Sequence, residues 1–298
     1  MDNPIRSLEV ADWSAATGRP EWIAALEAGE VLYFPRLAFT LSDAERALLK
    51  PSLLAEGVRN ISLDAQGRLK GAAGGPEAEA RVSALVGRFA RQARDLCRGL
   101  FPAYDAHLRA APTSLRPTQV STRKQSVRAD DKRLHVDAFP SRPNYGERIL
   151  RVFTNVNPEG EPRVWRVGEP FEAVARRYLP QAKPYVGWQA KLLQSLKVTK
   201  SLRSEYDHMM LQLHDRMKAD EAYQRDCPQV TMPFPSGSTW VCFSDQAVHA
   251  AMSGQYMLEQ TFHLPVAHQY DVQASPLAIL TRLAGRPLAG APLPASKA

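Results

Sequence analysis

The run Arg133-Leu134-His135-Val136-Asp137-Ala138-Phe139-Pro140 carries an imidazole and a carboxylate two positions apart. Side chains on an extended segment alternate with period two, so His135 and Asp137 would project from one face. A third ligand candidate stands far downstream. His249 follows a Pro235-Ser236-Gly237 turn and the apolar run Ser238 to Phe243. Two imidazoles and one carboxylate make the donor set of a non-heme Fe(II) oxygenase, which leaves one face of the metal open. Zinc accepts the same donor types, and the spacing leaves it in play. The remaining histidines offer less. His208 and His214 lie six apart on a predicted helix and share no i, i+3 or i+4 relation. His107, His263 and His268 have no partner pattern. All five are expected at the surface or hydrogen-bonded in the core.

An oxygenase that consumes a 2-oxo acid also needs a cation for the distal carboxylate, best met by bidentate arginine. Downstream of His249, Leu258-Glu259-Gln260-Thr261 contains no base. Arg151 is the first candidate, because a charge inside the strand-like Arg148 to Asn155 needs an internal anion. Period two puts Phe153 and Asn155 on its side, and Arg163 and Trp165 share a face of the next strand. Arg116, ahead of the first barrel strand, is a further candidate. For Arg163 and Arg166 the plain alternative is an ion pair on the outer surface.

These residues need a scaffold that brings position 135 to position 249. Strand-like segments are predicted at Gln119 to Lys124, Leu134 to Ala138, Arg148 to Asn155 and Arg163 to Val167, separated by turn residues such as Pro143-Asn144-Tyr145-Gly146. Helices are expected over Glu169 to Tyr178 and the long region Trp188 to Tyr223, and strands return at Ser238 to Phe243 and Tyr256 to Leu264. Strands that return to an earlier set around a helical insertion predict an α+β protein with a double-stranded β-helix, or jelly-roll, core. Residues 1–285 read as one domain: helical cover over 1–115, the core over 116–265 and an insertion over 169–226. In the cover, Trp22 to Glu27 reads as a helix and Val31 to Phe34 as a strand. Ser42-Asp43-Ala44-Glu45 is a capping-box pattern opening a helix through Leu54. After a loop at Gly71 to Pro76, Val82, Leu85, Val86, Phe89, Ala93, Leu96 and Leu100 form the buried stripe of a longer helix. Residues 286–298 are low in complexity and expected to be disordered. The loop from Asn60 to Pro76 reads either as a cover over the site or as a solvated hairpin.

Hydrophobic residues make up 44% of the 298 positions and charged ones 23%, an ordinary globular balance. No run approaches the roughly 18 apolar residues of a membrane span, and the first residues lack a secretory pattern, so a cytoplasmic location is expected. Cys97, Cys227 and Cys242 are odd in number with no C-x-x-C spacing, which indicates neither a disulfide framework nor a thiolate zinc site. Lys plus Arg exceeds Asp plus Glu by 38 − 31 = 7. The excess is local: Arg109 to Arg151 holds ten bases against four acids around the proposed site, which suits an anionic substrate. Trp188 to Arg203 combines Trp188, Leu192, Leu196 and Leu202 with four bases and no acid, a basic amphipathic segment able to lie on a membrane or, equally, to pack as an ordinary helix.

The blocks Leu134 to Pro143, Arg148 to Pro158 and Pro162 to Phe171 resemble the bacterial Kdo hydroxylases. That resemblance implies Fe(II), with 2-oxoglutarate as co-substrate and ascorbate in support. It also implies hydroxylation of the terminal 3-deoxy-D-manno-oct-2-ulosonic acid (Kdo) of Kdo-lipid A at carbon 3, giving Ko, in lipopolysaccharide biosynthesis. Carried onto matching positions, it implies His135, Asp137 and His249 as iron ligands. The substrate would be an anionic glycolipid, with peripheral contact to the cytoplasmic face of the inner membrane. Two other readings remain: a 2-oxoglutarate oxygenase of proteins or nucleic acids, for which no RNA-binding motif is visible, and a non-catalytic barrel that binds anionic glycolipid.

Overall fold

The computed structural model describes residues 3–123 and 125–290. Strands and helices are numbered in chain order. A large sheet runs in the order β1 (Ile5–Ser7), β2 (Val31–Phe34), β10 (Thr239–Phe243), β7 (Arg148–Asn155), β12 (Met257–Leu264), β6 (Thr113–Arg116), β3 (Ile61–Leu63), β4 (Leu69–Lys70), and β5 (Arg109–Ala110) also pairs with β12. A small sheet has the order β11 (His249–Ser253), β8 (Arg163–Gly168), β9 (Gln229–Phe234). Every pairing is antiparallel except β1 with β2.

The alternation of side chains sorts three cores. Leu150 and Val152 of β7, Val241 and Phe243 of β10, and Leu258 and Phe262 of β12 point outward against α1 (Pro20–Glu27) and α3 (Gly75–Leu100). On the opposite face, Phe153, Trp240 and Met257 meet Trp165 and Phe234 of the small sheet. Behind the small sheet, Val248 and Ala250 pack with Leu134 and Val136 against α4 (Phe171–Tyr178), α6 (Glu205–Ala219) and α8 (Pro276–Ala284). A buried residue of this kind contributes about 1.5–3 kcal/mol when removed from water. Both faces of each central strand are therefore occupied, which explains why β7 and β10 read as near-continuous apolar runs.

Several boundaries differ from expectation. Gln119 to Lys124 is not a strand: the described residues form a turn, with Val120 N–H bonded to Gly254 O and Arg123 N–H to Val120 O; Lys124 lies outside the described residues. The capping box at Ser42 is present, but its helix, α2 (Asp43–Arg46), is short. Pro51 starts a separate turn, Pro51–Leu53, because proline has no N–H to continue a helix. The long region expected to be helical from Trp188 to Tyr223 divides into three helices, α5 (Gly187–Ser195), α6 and α7 (Glu221–Asp226). Ser204 opens α6 with its own capping box, and the Asp220 side chain caps α7 at Tyr223 N–H. The region 1–115 is more than helical cover, since it supplies β1 to β6. Asn60 to Pro76 contains the β3–β4 hairpin on the edge of the large sheet. The start of the tail is docked: Arg286 pairs with Glu205, Leu288 is buried and Ala289 N–H bonds Glu205. Residues 291–298, the rest of the expected disorder, lie outside the described residues. Among the described residues no helix is long and apolar enough to cross a membrane.

Candidate metal centre

His135 and Asp137 sit on an extended segment that runs beside β11 and is tied to it at one point. His135 and His249 exchange backbone hydrogen bonds of 3.0 and 2.9 Å. Asp137 N–H then bonds Ser244 O at 2.8 Å. The outer edge, where a further strand would sit, is closed by a side chain: Gln224 accepts from Leu134 N–H at 2.7 Å and donates to Leu134 O at 2.9 Å. The expected strand Leu134 to Ala138 is thus an extended segment with a single bridge. The period-two argument survives, because Leu134 and Val136 enter the apolar core while His135 and Asp137 face inward.

His135, Asp137 and His249 offer ligand atoms that all lie within 4.8 Å of one another. Nδ1 of His135 faces Arg133 O at 2.7 Å and Nδ1 of His249 faces Ala247 O at 2.8 Å. A proton on Nδ1 directed at each carbonyl leaves Nε2 free to ligate, the support that a metal-bound imidazole usually has. Nε2 of His135 is 3.7 Å from Asp137 Oδ1, which suits two donors meeting at a shared ion. Trp165 stacks on His249, with ring centres 5.0 Å apart, and fixes its plane. Burial, followed by the neighbouring His135, lowers the His249 pKa to about 4, so this ligand stays neutral. Burial pushes the Asp137 carboxyl up, but Arg151 and then the two histidines outweigh it and hold the group well below the usual range.

Next to the three ligands lies a narrow cavity of about 50 Å³, lined among others by Arg116, Asp131, Arg151, Arg163, Trp165 and Glu259. Four of these expected co-substrate residues are therefore present: Arg116, Arg151, Arg163 and Trp165. Asn155 is not. Its amide donates to Glu161 O and Phe234 O, and its oxygen accepts from Asn157 N–H, so it braces a turn beyond the cavity. Arg151 does have the internal anion that its position demanded, but the protein supplies it. Nη2 lies 2.9 Å from Asp137 and Nη1 lies 3.1 Å from Glu259. Arg116 meets the other oxygen of Glu259 at 2.6 Å. Glu259 and Asp131 are not among the residues the sequence points to; the signal for Glu259 is a buried acid in β12, on a strand that pairs with Arg151's own.

Arg163 differs from both. It is buried, not part of an outer-surface pair, and among the described residues its side chain's only hydrogen bond runs from Nη1 to Gly254 O at 2.8 Å. Gly254 is at φ +106, and a Cβ there would stand 2.8 Å from the Arg163 backbone, so glycine permits this close turn. Burial and then the guanidiniums of Arg116 and Arg123 pull Arg163 down to about 9, yet it remains charged at neutral pH. Among the described residues, Nε of Arg163 and Nε1 of Trp165 have no hydrogen-bond partner, and neither does Nε of Arg116 or Arg151. Arg166, one residue out of phase, points away and donates to Gln224 O and Lys132 O. Of the other histidines, His214 packs edge-on against His135 at 5.4 Å but bonds Asp215, and His107 stacks on His268.

Arg151 also faces a second, larger space. A groove of about 960 Å³ runs outward past Phe139, Arg142, Tyr145, His263 and Leu277, with Arg109 at its border.

A family profile described as "3-deoxy-D-manno-oct-2-ulosonic acid (Kdo) hydroxylase" matches residues 10–287. Among solved structures, the Kdo hydroxylase KdoO, described as a non-heme Fe(II) alphaketoglutarate-dependent dioxygenase, is similar throughout. Its complex with alphaketoglutarate and Fe(III) is 44% identical, with 96% of this chain and 97% of that one covered and a TM-score of 0.92. Its cobalt(II) complex is 43% identical over 99% and 100% of the two chains, with a TM-score of 0.94. The complex with succinate and Fe(III) gives 43% and 0.92. No curated protein sequence matches. The match over most of the length, together with the geometry of the three ligands, places this chain in the Kdo hydroxylase family.

Proposed function

We propose that the protein is an Fe(II)- and 2-oxoglutarate-dependent dioxygenase that hydroxylates Kdo, with residues 1–285 as one catalytic domain. Its finer substrate is the terminal Kdo of Kdo-lipid A, oxidised at carbon 3 to Ko during lipopolysaccharide assembly on the cytoplasmic side of the inner membrane. The strand order supports a jelly roll: β6-β12-β7-β10 on one side faces the 134–138 segment, β11, β8 and β9 on the other. The single observation that carries the function is the convergence of three metal donors with unpartnered arginine and tryptophan N–H groups on one buried cavity.

His135, Asp137 and His249 would hold the metal; the 2-His-1-carboxylate set suits iron, and the similar structures that hold Fe(III) support iron over zinc. Bound iron and 2-oxoglutarate supply the oxidising chemistry, while the protein supplies orientation and exclusion of water. Charge fits the pair. Arg116, Arg151 and Arg163 balance Asp131, Asp137 and Glu259 on the cavity wall, so a divalent cation and a dianion enter together at no net cost in charge. Arg163 is the residue we assign to the distal carboxylate, ahead of Arg151, because Arg151 is already held by Asp137 and Glu259. Trp165 Nε1 offers a second donor on the same strand face. Arg151 would orient Asp137, keeping it ionised and its other oxygen directed to the metal. A cavity of about 50 Å³ holds one or two waters, so uptake of a five-carbon dicarboxylate requires these side chains to move apart. The groove beyond Arg151 is where an anionic sugar would lie, with Arg109 and Arg142 at its edge.

The test is incubation of purified protein with Fe(II), 2-oxoglutarate, ascorbate and Kdo-lipid A. One succinate formed per oxygen atom gained by the glycolipid, with the new hydroxyl at carbon 3, is expected. Oxygen gained by a peptide or RNA pool but not by the glycolipid overturns the substrate assignment.

A further inference from the structure

Most large apolar side chains left exposed by this fold belong to one segment: Trp188 (65% exposed), Leu192, Leu196 (64%), Val198 and Leu202. In α5 the first three follow at steps of four, so they form one stripe, while Ala190 and Leu193 turn toward the protein. The helix stops in a Schellman turn. Lys197 adopts φ 56, with Lys197 N–H bonded to Gln194 O and Val198 N–H to Leu193 O. That turn carries Val198 and Leu202 onward as an extended continuation of the stripe. From Leu179 to Ser204 the only charged residues are Lys183, Lys191, Lys197, Lys200 and Arg203. A protruding apolar ridge flanked by cations alone is chemically matched to a surface with an apolar interior and an anionic face.

The ridge is attached to the wall of the groove. Lys200 N–H bonds Ser141 O at 2.8 Å, Arg203 donates to Pro140 O, and Tyr145 Oη donates to Leu202 O at 2.7 Å. Pro140, Ser141 and Tyr145 all line the groove beyond Arg151. We infer that the segment Gly187 to Arg203 is a docking surface for an anionic lipid bilayer, which sets the groove mouth at the membrane. This deepens the function proposed above, in that an enzyme acting on a lipid-anchored sugar must work at the bilayer. Insertion of Trp188, Leu192 and Leu196 among the acyl chains would supply the apolar part of binding, and the cations the salt-sensitive part.

The experiment is co-sedimentation of the full chain with vesicles of phosphatidylcholine alone or with 30% phosphatidylglycerol, roughly a physiological anionic fraction. Binding at least tenfold tighter to the anionic vesicles is expected, with weakening in 0.5 M NaCl (on the order of a 4–5 Å screening length) and a blue shift of fluorescence that Trp188→Phe removes. The triple variant Trp188→Ser/Leu192→Ser/Leu196→Ser should lose at least tenfold in vesicle binding while keeping its thermal midpoint. Lys191→Glu/Lys197→Glu/Lys200→Glu should lose the anionic preference. A wild-type chain that ignores both vesicles, or a triple variant that binds like wild type, overturns the inference. So does a wild-type dimer that the triple variant dissolves without any vesicle binding, since the ridge would then join two copies. Turnover keeps the two readings apart: on a deacylated, water-soluble Kdo disaccharide the triple variant should match wild type, and on vesicle-embedded glycolipid it should fall at least tenfold. Hydroxylation of the soluble sugar without vesicle binding defeats docking alone. Vesicle binding without hydroxylation of either substrate defeats the catalytic reading alone.

Discussion

Phe153, Trp165, Phe234 and Trp240 fill one part of the space between the sheets with rings whose centres lie 4.2 to 5.8 Å apart. Arg116, Arg151, Arg163, Asp137 and Glu259 fill the part beside it with charge. The same strands supply both: Arg151 and Phe153 are period-two neighbours on β7, and Arg163 and Trp165 on β8. In the aromatic part ring meets ring, and the energy comes from close packing. Nε of Arg116, Arg151 and Arg163 in the ionic part lacks a partner among the described residues, as does Nε1 of Trp165 where the two parts meet and of Trp240 within the rings, and a buried unsatisfied donor costs about 1–3 kcal/mol. A fold tolerates that cost where a ligand later meets it, and the aromatic block beside it holds the strands that aim those donors.

Replacing His135 or Asp137 by alanine should give the largest effect, a loss of at least about a thousandfold in succinate formation, roughly 4 kcal/mol, with loss of iron binding in titration calorimetry. Metal binding equal to wild type in both variants would remove the basis of the comparison, since the charged part would then be structural. Phe234→Ala, in the aromatic part, should cost about 3–5 kcal/mol of stability, read in denaturant unfolding, with iron affinity retained at low temperature. Arg163→Ala should raise the 2-oxoglutarate requirement about 10- to 100-fold, the equivalent of a charge-assisted bond of about 1.5–3 kcal/mol, with iron affinity kept. An unchanged requirement, with the effect appearing in Arg151→Ala instead, would return the role to Arg151. Asn155→Ala should destabilise by about 1–3 kcal/mol and leave the co-substrate requirement alone.

The smallest effect concerns protons. His249 is lowered from the ordinary 6.5 to about 4 in the metal-free protein. Its folded pKa lies below the unfolded one, so the stability it contributes is complete above pH 6.5 and is lost as pH falls toward 4. Imidazole NMR should find His249 neutral at pH 5.5. A protonated His249 at that pH would mean that the ligand pocket is wetter than the aromatic stacking implies.

The convergence of the three candidate donors was legible because period two and the donor chemistry need only a few residues, and because one downstream histidine had a turn and a strand to carry it. The long stripe of α3 was legible for the same reason. The turn over the described residues 119–123 was not, since it is set by bonds to Gly254 in a distant loop. The boundaries of α6 and α7 within the region 188–223 follow from N-caps at Ser204 and Asp220.

Arg151 and Arg163 mark where sequence stops. Both are arginines in apolar strands with a period-two aromatic neighbour, and locally they are equivalent. Which one is free for a ligand depends on what stands opposite. β12 brings Glu259 across from β7, and the segment at Asp137 closes on Arg151, while Arg163 is held by a glycine carbonyl and has no ion pair among the described residues. The sequence by itself determined the ligand types, their alternation and the family they belong to. The tertiary structure alone decided which cation is spent within the protein and which is left over, because charge neutralisation acts across space, between residues as far apart in sequence as Arg151 and Glu259.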